Sequence, residues 1–180
     1  RKLTPAPVDP MTQELFDLGT ALEPVIADFH RRITGRPTRR VNRLLVRKRI
    51  PWAGASLDRV SAVKGDRRVV ELKWVPWRSW AGPEPVPAYV QDQVQWQLLV
   101  SGYEHAEVAV LAGSHVEVHP VEPDPAYQEA LVTIATHFRE AHILPGVPPA
   151  IDGSDATRHA LLRLYPKDDG ELMEPTAELE

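Results

Sequence analysis

The sequence contains no cysteine, and this absence removes several classes of site at once. Disulfide frameworks, thiolate zinc sites and iron–sulfur clusters all need cysteine, so any metal ion must be bound by oxygen or imidazole groups. The sequence also lacks an apolar run of membrane-spanning length, and residues 1–5 lack the charged-then-apolar pattern of a signal peptide. We therefore expect a soluble, cytoplasmic protein with no membrane segment.

Two catalytic motifs are absent as well. There is no His-Glu-x-x-His pair, the spacing by which zinc hydrolases bind their metal ion, and no Gly-x-x-x-x-Gly-Lys-Ser/Thr loop for nucleotide phosphates. These absences argue against zinc-dependent hydrolysis and against a nucleotide-driven motor.

Acidic residues are missing from one long segment of a chain that is acidic overall. The net charge is -4, yet residues 29–57 contain no aspartate or glutamate and are rich in arginine. A local basic field can bind phosphate groups on a protein with net negative charge. The alternative is that this segment is a solvated surface. The predicted DNA contacts are Arg32, Arg36, Arg39, Arg40 and Arg43.

Hydrophobic periodicity predicts an alternation of helices and strands. Apolar residues recur at helical spacing from Leu15 to Ile33, and Gly35 is predicted to end this helix. Pro24 must either kink the helix or begin a second helical piece, because proline has no amide hydrogen. The later segments are predicted strands at 43–50, 55–63 and 67–75, a helix at 88–101, strands at 107–111 and 115–119, and helices at 127–142 and 154–164.

These segments predict an α/β fold. The first three strands form a predicted antiparallel meander, with the turn-forming residues Lys64, Gly65 and Asp66 between the last two. A helix that crosses between strands places helices against one mixed sheet. We predict a single domain over residues 1–166, with a central mixed β-sheet flanked by helices, and a disordered acidic tail over residues 167–180.

A carboxylate and an ammonium group are predicted to lie side by side on the third strand. Side chains alternate between the two faces of a strand, so Glu71 and Lys73 share one face while Val70 and Leu72 share the other. If the preceding strand pairs with this one, Asp58 reaches the face that carries Glu71. Two carboxylates and a lysine then converge at one point.

The predicted cluster suits a hard divalent cation. Magnesium prefers oxygen ligands, usually one or two carboxylates together with water and substrate phosphate. Such an ion would polarise a scissile phosphate and lower the pKa of a bound water, while Lys73 would position that water and offset charge in the transition state. Glu-x-Lys on a strand is a weak signal alone. The neighbouring Asp58, the basic segment and a glutamine-rich helix together favour a nuclease.

Several segments, taken in order, resemble the motifs of a known family. They lie at residues 55–58 (Ala-Ser-Leu-Asp), 70–73 (Val-Glu-Leu-Lys), 89–97 and 101–102, with a similar upstream helix at 19–24. From about Leu18 to Pro166 the chain resembles the phage-type alkaline exonucleases of the PD-(D/E)xK nuclease superfamily, the group that contains lambda exonuclease and the YqaJ-type recombinases.

The resemblance implies roles for individual residues and for partners. Lys73 would be the catalytic lysine, and Gln93 would orient the lysine, the water or the phosphate. The implied substrate is the end of a DNA duplex, and the implied partners are a single-strand annealing protein and further copies of the chain in a ring-shaped trimer. The implied ligands of Mg²⁺ or Mn²⁺ are Glu23, Asp58, Glu71 and the Leu72 carbonyl.

Two departures from the family pattern bear on function. Leu57 stands where the family has a proline that shapes the turn before the catalytic aspartate, and that proline is not a ligand. The family also has an N-terminal helical segment that holds the DNA 5′ end, and no equivalent precedes Leu15. We therefore expect either a form truncated at the N-terminus or a different recognition of the DNA end, and cleavage polarity stays open.

Three functions follow from these patterns. The leading interpretation is a magnesium-dependent exonuclease that resects duplex DNA in phage or bacterial recombination. An endonuclease of the same superfamily, resolvase-like or restriction-like, is the alternative among enzymes, and a DNA-end-binding module with weak or no catalysis is the third. Trp77 could stack on a base or wedge a duplex end, with packing beside the sheet as the alternative.

Overall fold

The computed structural model describes residues 8–75, 80 and 85–165. The chain divides into two compact units, residues 1–134 and 135–180, with the division inside the third α-helix. The predicted domain at 1–166 spans both units, and the predicted tail at 167–180 lies outside the described residues. The elements are α1 (Pro10–Thr34), β1 (Thr38–Arg40), β2 (Leu45–Arg47), β3 (Ile50–Ala55), β4 (Arg59–Ser61), β5 (Arg68–Val75), α2 (Ala88–Ser101), β6 (His105–Ala112), β7 (His115–Val121), α3 (Pro125–Phe138), a π-helical turn (Arg139–Ile143) and α4 (Asp155–Leu164).

The first unit is built on a five-stranded mixed sheet in the order β1-β4-β5-β6-β7. β5 and β6 are parallel and are connected through α2, whereas the other neighbouring strands are antiparallel. α1 and α2 pack on opposite faces of this sheet. The predicted α/β class, with a central mixed sheet flanked by helices, is confirmed.

Apolar side chains fill both faces of the sheet. The cluster on the α2 face includes Val69, Val90, Val94, Leu98 and Val108. The cluster on the α1 face consists of Ile26, Ala27, Val70, Leu72 and Ala109. Successive residues of β5 therefore point to opposite faces, as strand alternation predicts. Glu71, which follows Val70, shares the α2 face with Val69.

The prediction of one strand at 43–50 is wrong. The chain turns at Lys48 and Arg49, so that β2 and β3 form a hairpin and a separate two-stranded sheet. The second predicted strand is also too long, because Ala55 already ends β3 and the sheet strand β4 begins only at Arg59. Of the predicted three-stranded meander, the structure keeps only the antiparallel pair of β4 and β5. The short strand β1 was not predicted.

The helices follow the predicted boundaries more closely. α1 begins after Asp9, whose side chain accepts a hydrogen bond from Thr12 N at 3.0 Å, and it ends where Gly35 adopts φ 70°. It runs through Pro24 as one helix. α2 has the predicted bounds, whereas the helix predicted at 127–142 is α-helical only to Phe138 and continues as the π-helical turn. None of the helices in the described part of the chain has both the length and the apolar character that crossing a membrane requires.

A buried ionic network connects α1 with the central strand β6. Glu107 is 3% exposed, and its carboxylate lies 2.7 Å from His30 Nε2 and 3.3 Å from Arg68 Nη1 and also accepts a hydrogen bond from Arg36. Burial raises the pKa of Glu107, but the hydrogen bonds from His30 and Arg36 and the charges of the two arginines outweigh burial and hold that pKa below its ordinary value. The network holds the C-terminal end of α1 on the sheet.

Candidate functional site

The candidate site lies at an uncovered edge of β5. β4 pairs with β5 only at Val69 and Val70, so β5 has no strand on this side from Glu71 onward among the described residues. A cleft of about 590 Å³ lies at this edge, with α1 forming one of its walls. All six residues predicted as catalytic or metal-ligating line this cleft: Glu23, Asp58, Glu71, Leu72, Lys73 and Gln93.

Glu71 is buried at the base of the cleft, with 1% of the residue exposed. Its Oε1 lies 2.7 Å from Lys73 Nζ and accepts a hydrogen bond from Gln93 Nε2 at 2.7 Å. Its Oε2 accepts a hydrogen bond from Gln97 Nε2, also at 2.7 Å. Both carboxylate oxygens therefore have charged or amide donors, as a buried charge requires.

Asp58 occupies the open edge of β5. Its Oδ2 accepts a hydrogen bond from Leu72 N at 3.0 Å. The N–H and C=O groups of one strand residue point to the same edge, so the Leu72 carbonyl is directed to this edge as well. Burial and the charge of Glu71, with a smaller contribution from Glu23, raise the pKa of Asp58 to about 6, although the Leu72 hydrogen bond and the charge of Lys73 act to lower it. The cleft thus concentrates negative charge.

Lys73 and Gln93 form the polar wall of the cleft opposite α1. Lys73 Nζ donates to Gln93 Oε1 at 2.8 Å, while the amide nitrogen of Gln93 donates to Glu71. One glutamine side chain therefore contacts both the lysine and the carboxylate. This arrangement fixes the orientation of the Gln93 amide, because its oxygen faces the ammonium group and its nitrogen faces the carboxylate.

The donor set fits a hard divalent cation. Within residues 8–75, 80 and 85–165, no group of three or more acidic or histidine side chains is already arranged to hold a metal ion. Magnesium needs only one or two carboxylates, because water and substrate complete its coordination. Asp58, Glu71 and the Leu72 carbonyl offer such a set, and Glu23 borders the same cleft. A cation there would offset the repulsion that raises the pKa of Asp58.

Gln97 is a site residue that the sequence interpretation missed. It is 3% exposed, and its Nε2 donates to Ser56 O at 3.1 Å as well as to Glu71 Oε2. It therefore connects the segment before Asp58 with the buried carboxylate. The available signal was its spacing from Gln93, because residues four apart lie on the same face of a helix.

Three of the predicted DNA-contacting arginines, Arg32, Arg36 and Arg40, have acidic partners within the fold. Arg36 donates to buried Glu107 and is part of the network that holds α1 on the sheet. Arg32 Nη2 lies 2.5 Å from Asp28, with 64% of the arginine side chain still exposed. The structure therefore gives Arg36 a role in the fold, whereas most of the Arg32 side chain is accessible.

Three of the predicted arginines lie on β1 or shortly after it. Arg39 and Arg40 belong to β1 and Arg43 follows it, and all three are exposed. Arg40 approaches the cleft, since its Nη2 lies 3.6 Å from Glu23 Oε2. Trp77 lies outside the described residues, so its predicted contact with DNA stays a prediction.

A comparison with models of protein families shows to which family this chain is related. The model of the YqaJ-like viral recombinase domain matches residues 4–104, which is more than half of the chain. This chain belongs to the YqaJ-like viral recombinase family. The matched range contains every residue of the cleft described above, and the family predicted from the sequence is confirmed.

Individual relatives agree with this assignment. The YqaJ-like chain is 28% identical over 165 residues to the protein YqaJ of Bacillus subtilis (strain 168). That alignment covers 88% of this chain and 51% of the relative, so this chain spans about half the length of that protein.

Among solved structures, the alkaline exonuclease LHK-Exo from Laribacter hongkongensis is similar to the YqaJ-like chain with a TM-score of 0.60 and 22% identity. That match covers 77% of this chain and 71% of LHK-Exo. The structure of LHK-Exo in complex with dAMP is similar with a TM-score of 0.56 and 20% identity, over 83% of this chain and 73% of that one. The YqaJ-like chain therefore shares the fold of an alkaline exonuclease.

Proposed function

We propose that this YqaJ-like chain is a metal-dependent deoxyribonuclease that hydrolyses phosphodiester bonds at the ends of duplex DNA during phage or bacterial recombination. The observation that carries the proposal is the convergence of Asp58, Glu71 and Lys73 in one cleft at an open strand edge. Family membership supports recombination as the setting. The fold shared with an alkaline exonuclease supports attack at DNA ends.

Magnesium or manganese is the proposed cofactor. Asp58, Glu71 and the Leu72 carbonyl would hold the ion, with Glu23 as a further ligand from α1. When bound, the ion would polarise the scissile phosphate and lower the pKa of the attacking water. The Leu72 backbone is fixed for this role, because its N–H group is already bonded to Asp58.

Lys73 supplies positive charge from the protein itself. Its ammonium group lies between Glu71 and Gln93, and 23% of its side chain is exposed towards the cleft. An ammonium group has three donors, so the contacts with Glu71 and Gln93 leave one for an attacking water or a phosphate oxygen. Its charge would offset negative charge that develops on the phosphate. Gln93 holds the lysine in place and is a positioning residue.

The exposed arginines that follow α1 provide a path for the DNA backbone. Arg39, Arg40 and Arg43 lie in a segment free of acidic residues, and Arg40 reaches the edge of the cleft at Glu23. Phosphate neutralisation by such residues makes binding steeply salt-dependent. Binding that weakens with salt is therefore expected of this segment.

A digestion of two DNA forms tests the proposal. With magnesium, the protein should release nucleotides from end-labelled linear duplex and leave covalently closed circular duplex intact. The variant Lys73→Ala should be inactive, while Lys64→Ala, which removes an exposed lysine at the β4–β5 turn, should be as active as the wild type. Cleavage of the closed circle would instead identify an endonuclease. Binding to linear duplex without magnesium-dependent release would identify a DNA-end-binding module.

Three further expectations accompany the proposal. The ring-shaped trimer and the single-strand annealing partner come from the family resemblance, and sedimentation and co-purification would test them. A cytoplasmic location is expected from the absence of cysteine.

A further inference from the structure

Two arginines stand directly opposite each other on neighbouring strands beside the cleft. Arg40 of β1 and Arg59 of β4 are Cα partners in the antiparallel register. Side chains of such partners lie on the same face of the sheet, and like charges in this position are destabilising. Here the face is the α1 face, because Arg59 is also the partner of Val70, which packs against α1. Glu23 offsets part of this repulsion, because its carboxylate lies 3.6 Å from Arg40 Nη2 and its charge also acts on Arg59.

The side chain of Arg59 has an unused hydrogen-bond donor within the described part of the chain. Its Nε is buried and without a partner, although buried guanidinium groups normally have acceptors. Arg40 forms an ion pair with Glu23 at 3.6 Å, and 50% of its side chain is still exposed. The Arg59 Nε and the exposed part of the Arg40 side chain therefore offer donors for which the described residues supply no further acceptor.

The surroundings of Arg59 have room for an anion. Arg59 lines a depression of about 340 Å³ between α1 and β1, together with Arg31 and Thr38. Asp28, the acidic residue of this depression, is already bonded to Arg31 at 2.8 Å and lies 2.5 Å from Arg32. Its charge is thus balanced by residues of α1.

The position of the pair relates this depression to the carboxylate cleft. Arg59 directly follows Asp58 in the chain, and Arg40 lies against Glu23. We propose that Arg40 and Arg59 together bind one phosphate group of the DNA backbone, next to the phosphodiester held in the cleft. This inference rests on the proposed nuclease function and adds Arg59, which the basic segment at 29–57 does not include.

One phosphate shared by two arginines has measurable consequences. Duplex binding is measured in EDTA by fluorescence anisotropy at several salt concentrations, for Arg40→Gln, Arg59→Gln and the double variant. The double variant should bind about ten- to a hundredfold more weakly, as expected for the loss of charged hydrogen bonds. Its log–log salt slope should fall by about one unit, because one phosphate is no longer neutralised, and not by about two. The losses of the single variants should not add up.

Two controls separate this role from a structural one. Arg67→Gln removes an exposed arginine at the far end of the β4–β5 hairpin and should leave duplex binding unchanged. In the absence of DNA, Arg59→Gln should unfold at a temperature close to that of the wild type, because the repulsion from Arg40 and the attraction to Glu23 and Asp58 that it removes oppose each other. A structural role for Arg59 would lower that temperature. In that case the phosphate site is tested by the duplex affinity and salt slope of Arg40→Gln alone, because this substitution is at an exposed side chain.

The outcomes distinguish this inference from the proposed function. If the wild type binds and cleaves DNA but the double variant binds with normal affinity and an unchanged salt slope, the phosphate site is overturned and the nuclease stands. A slope change of about two units would assign the arginines to separate phosphates and overturn the shared site. If the wild type neither binds nor cleaves duplex DNA, both proposals fail.

Discussion

Substitutions of Glu71 should distinguish the role of its buried carboxylate in catalysis from its contribution to the stability of the fold. The change Glu71→Ala leaves Lys73, Gln93 and Gln97 without their common acceptor. Lys73 and Gln93 can turn towards water in the cleft, but Gln97 is 3% exposed and loses a buried hydrogen bond to a charge. One such buried loss together with the small cavity should lower the free energy of unfolding by about 2–4 kcal/mol.

The change Glu71→Gln should cost less, about 1 kcal/mol, because it keeps the volume and one acceptor. The remaining amide oxygen can still accept from Gln97 Nε2, so the buried donor keeps both of its partners. Both variants should be inactive, since both remove the charge that holds the metal ion. Urea denaturation in EDTA and digestion of linear duplex with magnesium measure the two effects. Near-normal activity of Glu71→Gln would refute the active-site assignment, and equal stability of Glu71→Ala and the wild type would refute the buried network.

Three more outcomes are expected. Glu107→Gln should lower the free energy of unfolding by about 3–5 kcal/mol at pH 7, whereas Glu104→Gln, at an exposed carboxylate, should change it by less than about 1 kcal/mol. The pKa of Glu107 is lowered in the folded state. The difference in unfolding free energy between the wild type and Glu107→Gln should therefore be complete above the ordinary pKa of 4.5 and disappear as pH falls through the lowered pKa. A difference that persists in acid would contradict this. Gln93→Ala should slow cleavage less than Lys73→Ala in single-turnover assays, because a neutral positioning group contributes less than a charge, and equal losses would assign Gln93 a larger role. EDTA should abolish nucleotide release, Mg²⁺ or Mn²⁺ should restore it, and Ca²⁺ should support binding without turnover; activity with zinc alone would count against the proposed cofactor.

The elements that the sequence predicted well are those with local signals. The bounds of α2 were predicted closely, because Pro87 precedes the helix and Gly102, at φ 65°, ends it. The β4–β5 hairpin was predicted from the turn around Gly65, and this hairpin brings Asp58 to β5. The common face of Glu71 and Lys73 followed from strand alternation alone.

The elements that the sequence did not predict depend on tertiary contacts. The turn at Lys48 and Arg49 contains no glycine, asparagine or proline, so the β2–β3 hairpin looked like one strand. β1 consists of Thr38 and two arginines and has no hydrophobic alternation, since it is a short edge strand. The burial of Glu71 could not be seen either, because it results from the packing of α2, and with it Gln97, over that face of the sheet.

The open edge of β5 also bears on the tendency of this protein to aggregate. A strand edge with free N–H and C=O groups can pair with a strand from another molecule. Here the Asp58 carboxylate occupies the Leu72 amide, and the negative charge around it repels a second copy of the same edge. The groups proposed to bind a metal ion are thus also expected to hinder the central sheet from extending into a neighbouring chain. An apolar substitution at Asp58 would remove the charge that blocks this pairing as well as the proposed ligand.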